Sequence, residues 1–221
     1  MVLTNLKMNE LRRGYTLDQT LIVIILIAIL ITVIIATVAW SLINRASGTR
    51  IASQLNQIED ATGQFYSEHR MWPHQAVTTV NERTVMAALM GAVTSNFNAA
   101  VNVANVKNLL PSLSVSGTTA AAVNTANSFG TITMMNNTPN AANTSISGGN
   151  QFLTIQMVNV PINEAQEADK AMDGTTLTPQ TGRIVYGSTA CLNTTAGGAM
   201  ANPTVATTGN VNLCFLGSLI Q

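Results

Sequence analysis

From Thr20 to Asn44 the chain reads TLIVIILIAILITVIIATVAWSLIN, twenty-five residues without a charged side chain. A hydrocarbon core of ~30 Å needs about 20 apolar residues as a helix, so this run is long enough to cross a bilayer. A helix that is apolar on every face is stable only where every face is covered, by lipid or by protein. The run is therefore expected to be a membrane span, with the rest of the chain folding outside it.

A secretory signal has an apolar core of roughly 7 to 15 residues closed by a small-residue cleavage site. This core is longer, and cutting at Thr37-Val38-Ala39 would discard the whole span. The polar boundary lies in front of it instead. Residues 1–14 carry Lys7, Arg12 and Arg13 against a single acid, Glu10, and Tyr15-Thr16-Leu17-Asp18-Gln19 follows. This pattern resembles the type IV prepilin leader: basic residues, a glycine at the cut, an apolar or aromatic first mature residue, and a Thr-Leu pair entering an unbroken apolar helix. The resemblance implies cleavage between Gly14 and Tyr15 by a prepilin peptidase on the cytoplasmic side, N-methylation of Tyr15, and retention of the span on the mature chain. A glycine also suits the cut physically, since it lets an enzyme approach the backbone and breaks a helix ahead of the span. Arg45 and Arg50 beyond the span leave only a weak positive-inside bias.

Most type IV pilins have glutamate as the fifth mature residue, where it neutralises the terminal amine of a neighbouring subunit. Here that place is Gln19, and Asp18, one residue earlier, is the only charge between Arg13 and Arg45. An ionised side chain costs ~2.5 to 3.5 kcal/mol at mid-bilayer and less near the interface. Two readings of Asp18 follow. It meets the α-amine of Tyr15 in the same or an adjacent subunit, or it is a first-turn residue favoured by the helix macrodipole at the headgroup level. The second makes the chain a minor or tip component.

Past the span, Ile51, Leu55, Ile58, Thr62 and Phe65 recur at four- and three-residue steps, one apolar stripe on a polar helix. Arg50, Gln54, Glu59, Asp60, Gln64 and Glu68 take the other faces, and Pro73 ends the helix. Thr16 to about Arg70 is thus expected as one helix of ~80 Å at 1.5 Å per residue. The end, ATGQFYSEHRMWP from Ala61 to Pro73, is similar to the aromatic, polar, aromatic-Pro ending of pilin spines. The family's frequent proline at the twenty-second mature residue is Ala36 here. Gly48 and Gly63 are then the weakest points of the helix, at about 1 kcal/mol each relative to alanine, or places where neighbouring helices approach closely.

From Thr84 to Asn163 the only charged residue is Lys107. Val85–Leu89 and Val101–Leu110 read as short helices or strands, and Asn, Thr and Ser between them as polar loops forming a neutral exterior. Leu153, Ile155 and Met157 alternate with Thr154, Gln156 and Val158, a half-buried strand. A Val160-Pro161 turn then leads to a helix capped by Asn163 with Gln166 three residues on, and ended by Gly174. This unit is similar to one in the larger, type IVb pilins. Arg183–Tyr186 and Val211–Phe215 read as two more strands. Cys191 and Cys214, the only cysteines, are expected to form a disulfide in a domain outside the cytoplasm. Their spacing is nearer the type IVa subunits, so subclass stays open.

Little points to catalysis. His69 and His74 are separated by a proline break and do not share a helix face. Glu164, Glu167, Asp169 and Asp173 read as a solvated acidic face rather than as calcium ligands. No metal or cofactor is expected. The formal net charge is zero, and removing the leader leaves the chain slightly acidic, so no nucleic-acid partner is implied.

The expectation is an α+β chain with a long N-terminal helical spine, transmembrane in its first half, packed on a globular head with an antiparallel sheet. Its parts are a leader at 1–14, a filament-core helix at 15–44, an amphipathic half-helix at 45–72 and a head at 73–221 with a disulfide-bounded region at 191–214. The resemblance implies a non-enzymatic subunit, moved from the bacterial inner membrane by an assembly platform into an extracellular homo-oligomeric filament. Leu21, Ile25, Ile29 and Ile35 would lie in the filament core, and adhesion, motility or DNA transfer would be downstream uses. The alternatives are a minor pilin or type II secretion pseudopilin, and a signal-anchored periplasmic binding domain with an uncut Gly14-Tyr15 bond.

Overall fold

The computed structural model describes residues 3–92, 96–117, 123–143, 146, 149–174 and 179–220, with side chains from residue 18 onward. The chain divides into two compact units, Met1–Asn44 and Arg45–Gln221. Helix α1 spans Leu3–His69. It runs through Gly14, so the expected break ahead of the apolar run is not there. One glycine costs a helix only about 1 kcal/mol, less than flanking residues of good propensity supply.

In the second unit, α1 ends where expected. Arg70 takes a left-handed conformation with φ 57°, its N–H still reaching the Tyr66 carbonyl at 2.8 Å. Pro73 then opens α2, Pro73–Ala76, from the first helical position, where its missing N–H costs nothing. Helix α3, Glu82–Ala88, is capped by Asn81, whose side-chain oxygen accepts from the N–H groups of Arg83 and Thr84.

Six strands form one wholly antiparallel sheet: β1 Ser114–Ser116, β2 Asn124–Ala126, β3 Thr131–Asn137, β4 Gln151–Pro161, β5 Ile184–Gly187 and β6 Asn210–Ile220. Their order is β1-β2-β3-β4-β6-β5. The two longest strands, β4 and β6, are interior neighbours, paired with Ile155 opposite Phe215. Helix α4, Ile162–Asp173, follows β4 directly.

The stripe on α1 works as its spacing predicts. Ile51, Leu55, Ile58, Thr62 and Phe65 are all buried, in a core with Met134, Ile155 and Phe215. Polar contacts fix the helix across the sheet. The Asn127 amide donates to Gln54 Oε1 at 2.8 Å. Arg183 donates to both oxygens of Glu59 at 2.9 and 3.2 Å, and the Ser218 hydroxyl donates to Glu59 at 2.6 Å. The Arg183 guanidinium also lies over the Phe215 ring.

The two glycines of the spine separate here. A Cβ on Gly48 would collide with the Cβ of Glu167, and would sit 2.9 Å from the backbone N of Ala168, so Gly48 lets α1 and α4 meet almost backbone to backbone. Gly63 faces open space.

Strand β4 departs from the half-buried expectation, because Thr154 and Gln156 are buried as well. The reason is the Cys191–Cys214 disulfide, which forms as expected with Cα atoms 6.2 Å apart. It draws the segment after Cys191 over the second sheet face, where Gln156 Oε1 accepts the N–H groups of Cys191 and Leu192, each at 3.1 Å. The asparagines of the charge-poor region also depart from a polar exterior. Asn136, Asn137, Asn140 and Asn143 are buried. Asn137 exchanges side-chain hydrogen bonds with the backbone of Asn193, and Asn143 does the same with Gly182. An amide both donates and accepts, so it can replace a missing strand neighbour for an irregular segment.

Helix α4 corrects two further readings. Its N-cap is Pro161, without a side-chain cap, and Asn163 lies inside the first turn. The Ile162 N–H is satisfied by the Gly209 carbonyl at 3.0 Å, a tertiary partner invisible to a local capping rule. The acidic face is only partly solvated, since Asp169 is 0% exposed. Gly174 ends the helix with φ 87°, as expected.

Two stability outcomes follow. Gly48→Ala should lower stability despite alanine's helix propensity, by about 1–3 kcal/mol for overpacking, whereas Gly63→Ala should raise it by up to about 1 kcal/mol; denaturant melts of both variants check this. Replacing Cys191 and Cys214 by serine should cost about 3 kcal/mol for a closed loop of this length, measured in the same way under oxidising conditions.

Candidate functional site: the apolar amino-terminal helix

Between Asp18 and Ile43 every side chain of α1 is exposed. Leu21, Ile25, Ile29 and Ile35 are 50 to 61% exposed, and Trp40 is 68% exposed. These positions share one side of the helix, and Val23, Ile27, Leu30 and Ile34 on the opposite side are 51 to 61% exposed, so exposure is all-round rather than a stripe. The segment is long and apolar enough to cross a membrane, and its most apolar window is 0% buried. Such a surface is stable only in lipid or against other apolar helices, since each Leu or Ile side chain left in water forgoes about 1.5–3 kcal/mol.

Local chemistry fits an apolar surrounding. Thr32 donates its hydroxyl to the Ala28 carbonyl at 2.8 Å, and Thr37 donates to Ile34 at 2.9 Å. Both hydroxyls are thereby satisfied within the helix, as a low-dielectric medium requires. Asp18 and Gln19 are exposed at the polar end of this surface. Among the described residues Asp18 forms no ion pair. Gly14 and Tyr15 lie on the helical backbone, and their side chains are outside the described residues.

In the second unit the structure keeps the remaining candidates apart. The His69 ring packs on Phe65 with centroids 4.5 Å apart. His74 sits in α2, where burial lowers its pKa. No group of three or more His, Cys, Asp or Glu side chains among the described residues is arranged to hold a metal. A cleft of about 320 Å³ lies between Gln57, Asp60, Ala61 and Gln64 of α1 and residues Leu109–Ser112. Its side chains converge on no buried polar group, because Asp60 and Gln64 are exposed.

A charge in the middle of the apolar segment tests its environment. Ile29→Arg should cost about 2.5–3.5 kcal/mol of membrane insertion, read as a shift of the chain from the membrane to the soluble fraction after carbonate extraction. Comparison of the chain with protein-family models, with curated proteins and with solved structures finds no match.

Proposed function

We propose that the chain is a type IV pilin-like structural subunit, held in the bacterial inner membrane by α1 and then polymerised into an extracellular filament. The observation that carries this reading is the helix itself. It is apolar on every face before Asn44 and apolar on one face after Arg45, where it packs on a disulfide-bearing antiparallel sheet. The reading is non-catalytic, with prepilin peptidase and an inner-membrane assembly platform as partners.

The energetics constrain how such a subunit assembles. Lipid tails are as apolar as leucine, so leaving the membrane for a filament gains no hydrophobic free energy, and cohesion has to come from side-chain packing. The leucine and β-branched side chains at Leu21, Ile25, Ile29 and Ile35 have few rotamers in a helix, which lowers the entropy lost on packing. Cleavage at Gly14-Tyr15 would create an α-amine within reach of Asp18, in the same or a neighbouring subunit, and that ion pair would set axial register. Methylation of Tyr15 would keep the positive charge. Gln19 supports a second reading, in which the absence of the usual glutamate makes this a minor pilin or pseudopilin that primes or caps a filament.

Intact-mass analysis and N-terminal sequencing of sheared filaments and membranes, from cells with and without prepilin peptidase, test both. A chain beginning at Tyr15 and present in bulk in the filament fraction is the expected result. The same start at trace abundance supports the second reading, and an intact Met1 absent from filaments overturns both. Asp18→Asn should reduce filament yield without changing head stability.

A further inference from the structure

The last two turns of α4 hold a pair of carboxylates that the assembly reading does not use. Asp169 is 0% exposed, and among the described residues neither of its oxygens receives a hydrogen bond from an N–H or O–H group. One turn on, along the same face of α4, stands the carboxylate of Asp173. Two acceptors can be joined only by a proton on one of them. Asp173 in turn accepts the Ile184 N–H at 2.8 Å, which ties the end of α4 to the first residue of β5.

Among the described residues, every element around the pair leaves it without a counter-charge. Strands β4 and β6 bring no titratable side chain apart from Cys214, which is in the disulfide. Strand β5 brings Tyr186, whose hydroxyl is held protonated by burial and by the Asp169 charge. On α4, Lys170 pairs with Glu167 at 2.8 Å, and Glu164 lies toward Ser47 and Arg50. Arg183 is committed to Glu59, and Arg45 and Arg50 of α1 are exposed. Asp173 fills the space that a side chain on Gly182 would need.

We propose that Asp169 and Asp173 form a proton-locked latch between α4 and β5: sharing one proton, they hold the end of α4 on the sheet, and losing it opens that junction while the central strands stay paired. Burial, then the Asp173 charge and its hydrogen bond, push Asp169 up to about 7 from 3.8. The folded latch therefore binds a proton more tightly than the unfolded chain. Its stabilisation is complete below about pH 4 and is lost as pH rises toward about 7.

The test is hydrogen exchange of the full chain in detergent micelles at about pH 5.5 and about pH 8.5, corrected for intrinsic rates. Protection at Ile184 and in the last turn of α4 should fall by about tenfold or more at the higher pH, with β4 and β6 amides unchanged. Asp169→Asn supplies a neutral donor at every pH and should keep the junction protected throughout. Equal wild-type protection at both pH values overturns the latch, as does a pH response that survives Asp169→Asn. Should that variant not fold, carboxyl carbon NMR of the wild-type chain decides: an aspartate titrating near 7 supports the latch, and none above about 5 overturns it. Restoration of protection at high pH by calcium or zinc alone also overturns it, since the pair is then a cation site.

Discussion

A single helix has to be solvated in two ways, and the rest of this protein depends on how that is arranged. From Leu21 to Ile43 its side chains are apolar on every face, and only a medium without water satisfies them. From Ile51 to Phe65 the apolar side chains narrow to one stripe, which asks for one partner surface. The sheet provides it. Its central strands β3, β4 and β6 are buried where Met134, Ile155 and Phe215 meet the stripe, so the fold of the second unit is built around α1. The three side chains converging on Glu59 and Gln54 add direction to this packing, since hydrogen bonds fix a register that apolar contact leaves loose.

The second sheet face is covered by different means. A chain with few charges and a 24-residue disulfide-bounded segment from Cys191 to Cys214 has little regular structure to lay there. It uses amides instead. Gln156, Asn137 and Asn143 each hold an irregular segment by its backbone, so the segment's polar groups are paired despite burial. An unpaired charge in place of one of these buried amides would cost several kcal/mol. The one acid that is deeply buried, Asp169, sits where a second carboxyl can share its proton.

Close approach is the common theme of α4. Gly48 lets it pack against α1 at the backbone, and its C-terminal turn is held to β5 through Asp173. The helix is short and its N-terminus lacks a side-chain cap, so its position is set by these tertiary contacts rather than by its own propensity. A short helix fixed by one glycine and one hydrogen-bonded carboxylate is a natural place for a local opening that spares the central strands.

Whatever rests on local periodicity and on a single solvent can be read from the order of the residues. The apolar run, the stripe from Ile51 to Phe65, the stop at Pro73, the strands around Ile155, Ile184 and Leu213 and the pairing of the only two cysteines were all legible, because each depends on neighbours three, four or two residues away or on simple scarcity. Tertiary structure decided the rest. That Asn136, Asn137 and Asn143 are interior could not be read from a stretch whose composition matches an exposed loop, and the short strands β1 and β2 have too few residues to show a period. The N-terminus of α4 at Ile162 depends on a carbonyl from Gly209, and the burial of Asp169 on a strand that follows it in the chain. Gly48 and Gly63 are the same residue on the same helix, and only the approach of α4 to one of them tells them apart.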